Sequence, residues 1–211
     1  MEPQVGHQPK HLFDPARATS LLDSQQRMVA DPLALVREMG IQPGMRVVEL
    51  GCGPGFFTHA LLEAVGETGW VAAVELQEPI LAFLRERLGG HPRLEMILSD
   101  LSDTGLETGR WDAVFVAFTL HEVPVAAALV EIRRILRSGG WLAILDWGHV
   151  RTCPEREPGR HAGPPEEERL LPEVLRRQLV EAGWREMAYG ERLGGCHYWV
   201  TAQCESRSEL D

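Results

Sequence analysis

Val48-Glu-Leu-Gly-Cys-Gly-Pro-Gly-Phe-Phe-Thr58 runs an apolar strand directly into three alternating glycines and then into the apolar start of a helix. Glycine tolerates positive φ and lets backbone N–H groups come close to a ligand. In open α/β sheets this kind of strand-to-helix turn lies where nucleotides bind. Its spacing, from Gly51 through Gly53 to Gly55, is G-x-G-x-G. A dinucleotide turn reads G-x-G-x-x-G and a P-loop ends in Lys, so neither pattern is met.

Working outward, Pro43-Gly44 marks a turn before a short buried strand at 46–50, and a helix carrying Leu61, Leu62 and Val65 stops near Gly66. A second strand follows at 70–76, then a helix with Pro79 at its first position and Ile80, Leu84 and Leu88 on one face. Strands at 94–100, 111–118 and 141–146 continue the series, with a helix after Pro124 expected to end at Ser138-Gly139-Gly140. Apolar strands separated by crossover helices predict a parallel sheet covered on both faces, a doubly wound α/β domain. Two later runs, 184–189 and 197–203, predict a closing antiparallel hairpin and bring the sheet to seven strands. Upstream, apolar positions from Asp14 to Met39 predict two helices, the second starting at Asp31-Pro32. Residues 1 to about 10 and the last six or so read as loose ends. The charged, Pro- and Gly-rich segment 149–171 shows no periodicity and reads as a long, mobile loop, a kind that is usually functional.

Composition narrows the function. The chain has 211 residues, 44% hydrophobic and 25% charged, which is ordinary for a globular protein and too regular for collagen or wholesale disorder. With 21 Lys plus Arg against 31 Asp plus Glu the formal charge is −10, so there is no overall basic footprint for nucleic acid. No apolar run approaches the roughly 18 residues of a membrane span and no signal-peptide layout opens the chain, so no membrane partner and a cytoplasmic location are expected. Cys52, Cys153, Cys196 and Cys204 form no C-x-x-C pair and no cluster with histidine, which predicts neither a metal site nor a disulfide framework.

The sequence Glu49-Leu-Gly-Cys-Gly-Pro-Gly55 resembles motif I of the class I S-adenosylmethionine-dependent methyltransferases, and the likeness extends over about residues 44 to 204. It implies S-adenosyl-L-methionine as cofactor, S-adenosyl-L-homocysteine as product and a Rossmann-like fold of the quinone-biosynthesis type. By the same resemblance Glu75, ending Val-Ala-Ala-Val-Glu-Leu76, would take the ribose hydroxyls, and a carboxylate accepting two O–H groups is a strong, geometrically selective contact. Asp100, in Met-Ile-Leu-Ser-Asp-Leu101, would contact the adenine amino group, with Leu76 and Leu101 beside the two acids. Glu49 resembles the motif I acid behind the cofactor's amino group, although it also reads as a brace for the glycine turn. Cys52 fits as a small residue rather than a reactive thiol. Ala117 and Phe118, ending the fourth strand, and the run 136–145 match the family's fourth and fifth motifs. The resemblance makes residues 1–43 an arm and lid helices, 44–204 the methyltransferase domain, 149–171 a substrate cover and 205–211 a tail.

Methyl transfer from a sulfonium is an in-line displacement, so positioning in a dry pocket is the main task and a general base is optional. His121 and Asp146 are the candidate catalytic residues, one after the fourth strand and one ending the fifth. His121 can accept a proton near neutral pH with Glu122 orienting its ring, although Leu-His-Glu-Val also reads as an ordinary helix entry. Asp146 and Trp147 either meet the acceptor or simply close the sheet. His11, Phe13 and Arg27 belong to the region expected over the methionine end. The expected partner is a small-molecule methyl acceptor. Two other classes stay open: a nicotinamide oxidoreductase, since Glu75 also suits an NAD ribose, and a catalytically silent S-adenosylmethionine-binding partner subunit.

Overall fold

The computed structural model describes residues 14–23 and 28–204. The terminal arm, His11, Phe13, Arg27 and the expected tail lie outside these residues. Seven strands form one sheet: β1 (Arg46–Leu50), β2 (Trp70–Glu75), β3 (Leu94–Leu98), β4 (Trp111–Ala117), β5 (Leu136–Trp147), β8 (Trp184–Arg192) and β9 (His197–Cys204). The order is β3-β2-β1-β4-β5-β9-β8. Strands β1 to β5 pair in parallel, and β9 enters antiparallel between β5 and β8. The connection reverses direction between β1 and β4, which opens a crevice beyond their C-terminal ends where such sheets take ligands.

Period-two alternation along the central strands feeds two separate cores. Val48, Val114, Val116, Leu142 and Ile144 pack with helices α4 (Val125–Ile135) and α5 (Pro172–Glu181). Val47, Phe115, Ala143 and Leu145 face the other way, against α1 (Pro32–Glu38) and α2 (Phe56–Val65). Helix α3 (Glu78–Leu88) closes a smaller cluster on Ala73 through Leu81 and Leu84. Neighbouring residues of one strand thus sit on opposite faces, as a sheet covered on both sides requires.

Three expectations are corrected. The helix after Pro124 stops at Ile135, not at the glycines: Gly109 N–H donates to the Arg134 carbonyl and Arg110 N–H to that of Ile135. Leu136 then pairs with Trp111, and cross-strand bonds displace the helix a turn early. The predicted first helix is a 3-10 helix over Pro15–Leu22, started by Asp14 accepting from the Ala16 N–H.

The third correction concerns segment 149–171, which is ordered by contacts that its composition hides. It carries a two-stranded hairpin of β6 (Glu155–Glu157) and β7 (Arg160–His161). The Arg169 guanidinium, 8% exposed, donates to the carbonyls of Gly148, Ala162 and Pro164 at 2.6–2.8 Å. Glu166 accepts from His149, and the buried Tyr198 hydroxyl donates to the Leu170 carbonyl at 2.6 Å. Cys153 and Cys196, 43 residues apart, form a disulfide, contrary to the expectation from spacing. Sequence separation says nothing of the approach that β5–β9 pairing creates. Among the described residues no helix is long and apolar enough to cross a membrane.

Removing the Tyr198 hydroxyl leaves a buried carbonyl unpaired. Tyr198→Phe is expected to lower the unfolding free energy by about 1–2 kcal/mol in urea denaturation. An unchanged midpoint would show that this bond does not anchor the cover.

Candidate active site

A cleft of about 770 Å³ lies at the C-terminal ends of β1, β2, β4 and β5, within the size range of ligand sites. Its floor is the glycine turn. Gly51 has φ 71°, and a Cβ built there would lie 2.4 Å from the Thr119 side chain, so only glycine lets the loops after β1 and β4 approach. The Gly51 and Cys52 N–H groups both donate to the Val74 carbonyl, locking the turn to β2. Gly55, with φ 94°, caps the start of α2 in a left-handed conformation.

Glu75 ends β2 at 8% exposure. Its Oε2 accepts from the Gly53 N–H and its Oε1 from the Gln77 N–H, both at 3.0 Å. Burial raises its pKa, opposed by the amide bonds from Gln77, Gly53 and Leu76. A carboxylate offers about four acceptor positions, so capacity remains on the side facing the cleft. Asp100 also lines the cleft, with Oδ1 accepting from the Ser102 N–H and hydroxyl at 2.8 and 2.7 Å. Leu76 and Leu101 stand beside the two acids. Two carboxylates spaced along the strand ends, with apolar side chains beside them and close backbone amides, suit a flat heterocycle joined to a vicinal diol.

Other expected residues stand behind the cleft. Glu49, 3% exposed, accepts from the Thr58 hydroxyl at 2.6 Å and braces the first turn of α2. The Cys52 thiol is buried, and burial, followed by the charges of Glu49 and Glu75, pushes its pKa well up, which makes it inert. The Ala117 carbonyl accepts from the Thr119 hydroxyl at 3.0 Å.

At the other end of the cleft, His121 Nδ1 lies 2.8 Å from Asp146 Oδ1. That carboxylate oxygen also accepts from the Trp147 N–H. A carboxylate only accepts, so Nδ1 carries the proton and Nε2 is the nitrogen left for a ligand. Asp146 is fully buried and His121 is 9% exposed, lining the cleft. Burial pulls the His121 pKa down, but the charge and hydrogen bond of Asp146, with Glu122 and Glu168 behind, outweigh it, and the net shift is upward from 6.5. Glu122 Oε1, at 3.9 Å from Nε2, does not hold the ring; Asp146 does.

Phe118 and Trp147 line this end and the buried His197 ring packs behind them, with ring centroids 4.6–5.0 Å apart. Phe118 has φ 53°, a conformation that bulky residues adopt at a cost of about 1–3 kcal/mol and mostly at functional sites. Gly163 of segment 149–171 lies over the Trp147 ring, where a Cβ would come within 2.7 Å of it. Arg156, Arg160 and His161 of the β6–β7 hairpin, with Ser20 and Leu21 from the other side, complete the lining. His197, Arg169 and the hairpin escaped the sequence reading, since no local pattern places them beside residues far away in the chain.

The native pKa of His121 lies above its unfolded value. The pair therefore stabilises the fold fully below pH 6.5, and that contribution disappears as pH rises through the native value. An NMR titration of His121 is expected to show Asp146→Asn lowering the midpoint, because burial then acts without its counter-charge. An unmoved midpoint would contradict the pairing.

Comparison with known proteins agrees with this geometry. Residues 48–144 match the family described as a methyltransferase domain. A demethylmenaquinone methyltransferase of Staphylococcus aureus is 31% identical over 113 residues, 53% of this chain and 47% of that one. The match thus spans about half the length of such curated relatives. The crystal structure of a SAM dependent methyltransferase from Aquifex aeolicus superposes with TM-score 0.80 at 29% identity, over 90% of this chain and 98% of that one. One from Mesorhizobium loti shares the fold, with TM-score 0.65 at 20% identity over 82% and 98%.

Proposed function

We propose that the chain is a class I S-adenosylmethionine-dependent methyltransferase, as its likeness to a methyltransferase domain over residues 48–144 and to the Aquifex aeolicus structure supports, and that it transfers the cofactor's methyl group to a small-molecule acceptor. The observation that carries the proposal is the sharing of one cleft by two assemblies: the glycine turn with Glu75 and Asp100, and the His121–Asp146 pair. S-adenosylmethionine supplies a methyl carbon made electrophilic by its sulfonium. Glu75 would accept the ribose hydroxyls, Asp100 the adenine amino group, and Leu76 and Leu101 would lie against the ring. Gly51 and Gly53 bring backbone close to the ligand without a side chain in the way. Glu49, Cys52, Gly55 and Ala117 shape the loops that do this.

At the acceptor end His121 Nε2 takes a proton from the acceptor as its nucleophilic atom engages. Asp146 holds the ring in the productive tautomer and stabilises the imidazolium that results. Phe118 and Trp147 exclude water and present flat apolar surface. The cleft of about 770 Å³ has room for the cofactor and a small-molecule acceptor together, which supports an acceptor of that size. The relative named as a demethylmenaquinone methyltransferase supports an acceptor of that scale. The antiparallel β9–β8 edge supports this reading over a nicotinamide oxidoreductase, whose doubly wound sheet follows the order 3-2-1-4-5-6.

The test is transfer of labelled methyl from S-adenosylmethionine across a panel of small hydroxyl, thiol, amine and carbon acceptors. His121→Ala is expected to lower turnover by about 10²–10⁴-fold while S-adenosylhomocysteine binding stays within about twofold. Glu75→Ala is expected to weaken that binding by at least about tenfold. Cofactor binding with no turnover on any acceptor would favour the silent partner subunit. Full turnover in His121→Ala would remove the base from the account.

A further inference from the structure

The Cys153–Cys196 disulfide joins two walls of the acceptor end. Cys153 begins the cover and leads into the β6–β7 hairpin. Cys196 precedes His197, which stacks against Trp147 and Phe118 at 4.6 and 4.9 Å. The Arg169 Nη1 donates to Cys153 Sγ at 3.2 Å and to the Gly148 carbonyl at 2.7 Å. A buried guanidinium beside a sulfur stabilises the thiolate, so it favours the reduced pair and makes Cys153 the better leaving group. The backbone around both cysteines is closed independently of the sulfur bridge. Gly148 N–H donates to the Cys196 carbonyl at 2.8 Å and His161 Nδ1 to the Cys153 carbonyl at 2.7 Å. The turn beside Cys196, Leu193–Gly195, has positive φ at all three residues and an exposed leucine, the kind of segment that opens locally.

We propose that Cys153 and Cys196 are a redox-active pair that latches the cover over the acceptor end and is released by a dithiol reductant. Cys196 Sγ is buried in the closed form, so the step follows local opening of the Leu193–Gly195 turn: a thiolate of the dithiol attacks Cys196 Sγ, forming a mixed disulfide, and Cys153 Sγ leaves with the bonding pair as a thiolate beside Arg169. The second thiolate of the reductant then attacks its own sulfur in the mixed disulfide, and Cys196 Sγ leaves and takes a proton. The reductant ends as a cyclic disulfide, having given two electrons, and its other proton goes to solvent. Reduction removes the covalent link between the hairpin that carries Arg156, Arg160 and His161 and the aromatic wall at His197. The glycine turn, Glu75 and Asp100 do not touch the bridge, so the cofactor end is unaffected. What the latch gates rests on the proposed reaction, but the latch itself does not.

The test titrates the whole chain with dithiothreitol in native buffer and reads four things: iodoacetamide labelling by peptide mass, far-UV circular dichroism, tryptic cleavage after Arg156 and Arg160, and binding of S-adenosylhomocysteine. The expected result is labelling of Cys153 and Cys196 with the fold intact, cleavage about tenfold faster, and affinity for S-adenosylhomocysteine within about twofold of the oxidised form. A Cys153→Ser, Cys196→Ser double variant is expected to be cleaved at the fast rate without reductant. A pair that stays bridged in native dithiothreitol, that labels only as the fold is lost, or that opens without faster cleavage overturns the latch. Failure of S-adenosylhomocysteine to bind either form would count against the proposed function, whereas labelling and cleavage alone judge the latch.

Discussion

Gly51 has no room for a side chain, and the site is arranged around that fact. The loop after β4 brings Thr119 to where a Cβ would be, so the loops after β1 and β4 pack directly against each other at the floor of the cleft. The positive φ at Gly51, Gly53 and Gly55 follows from turning a buried strand into a helix within so short a span. Glu75 then reaches across from β2 to the Gly53 N–H. One carboxylate both fixes the turn and lines the cleft, so a change at Glu75 alters the loop geometry together with the ligand contact proposed for it.

The proposed acceptor end is built on the opposite principle, with side chains brought together by long-range pairing. His121 follows β4 and Asp146 lies on β5, and the parallel register of these strands makes them neighbours. The antiparallel return of β9 sets His197 opposite Trp147. Arg169, with its guanidinium 5.5 Å from the Trp147 ring, then holds the cover on that wall. A buried cation is costly to desolvate, and donation to three carbonyls offsets much of that cost.

The placement of the glycine turn, Glu75 and Asp100 along the cleft was legible because these residues fall at the ends of successive strands, where a strand-then-turn pattern marks them locally. Glycine spacing and the acids Glu75 and Asp100 need only the period of a strand to be placed. The partner of His121 was not legible. Glu122 is adjacent in sequence and was the natural choice for orienting the ring, but a residue next in the chain points elsewhere when the backbone leaves a strand, and the strand across the sheet supplied Asp146. Segment 149–171 misled for a related reason. Its arginines and glutamates match a solvated loop in composition, and only tertiary structure shows that Arg169 is inside and that Cys153 meets Cys196. The premature end of α4 was hidden because the pairing of Leu136 with Trp111 outweighs the helical pattern that continues past it.

Calorimetric titration of the unmodified chain with S-adenosylmethionine, S-adenosylhomocysteine and NAD tests the central claim most directly. Micromolar binding of the two methionine-derived ligands, with no heat from NAD, is the result this architecture requires. Binding of NAD alone would contradict it and assign the cleft to hydride transfer.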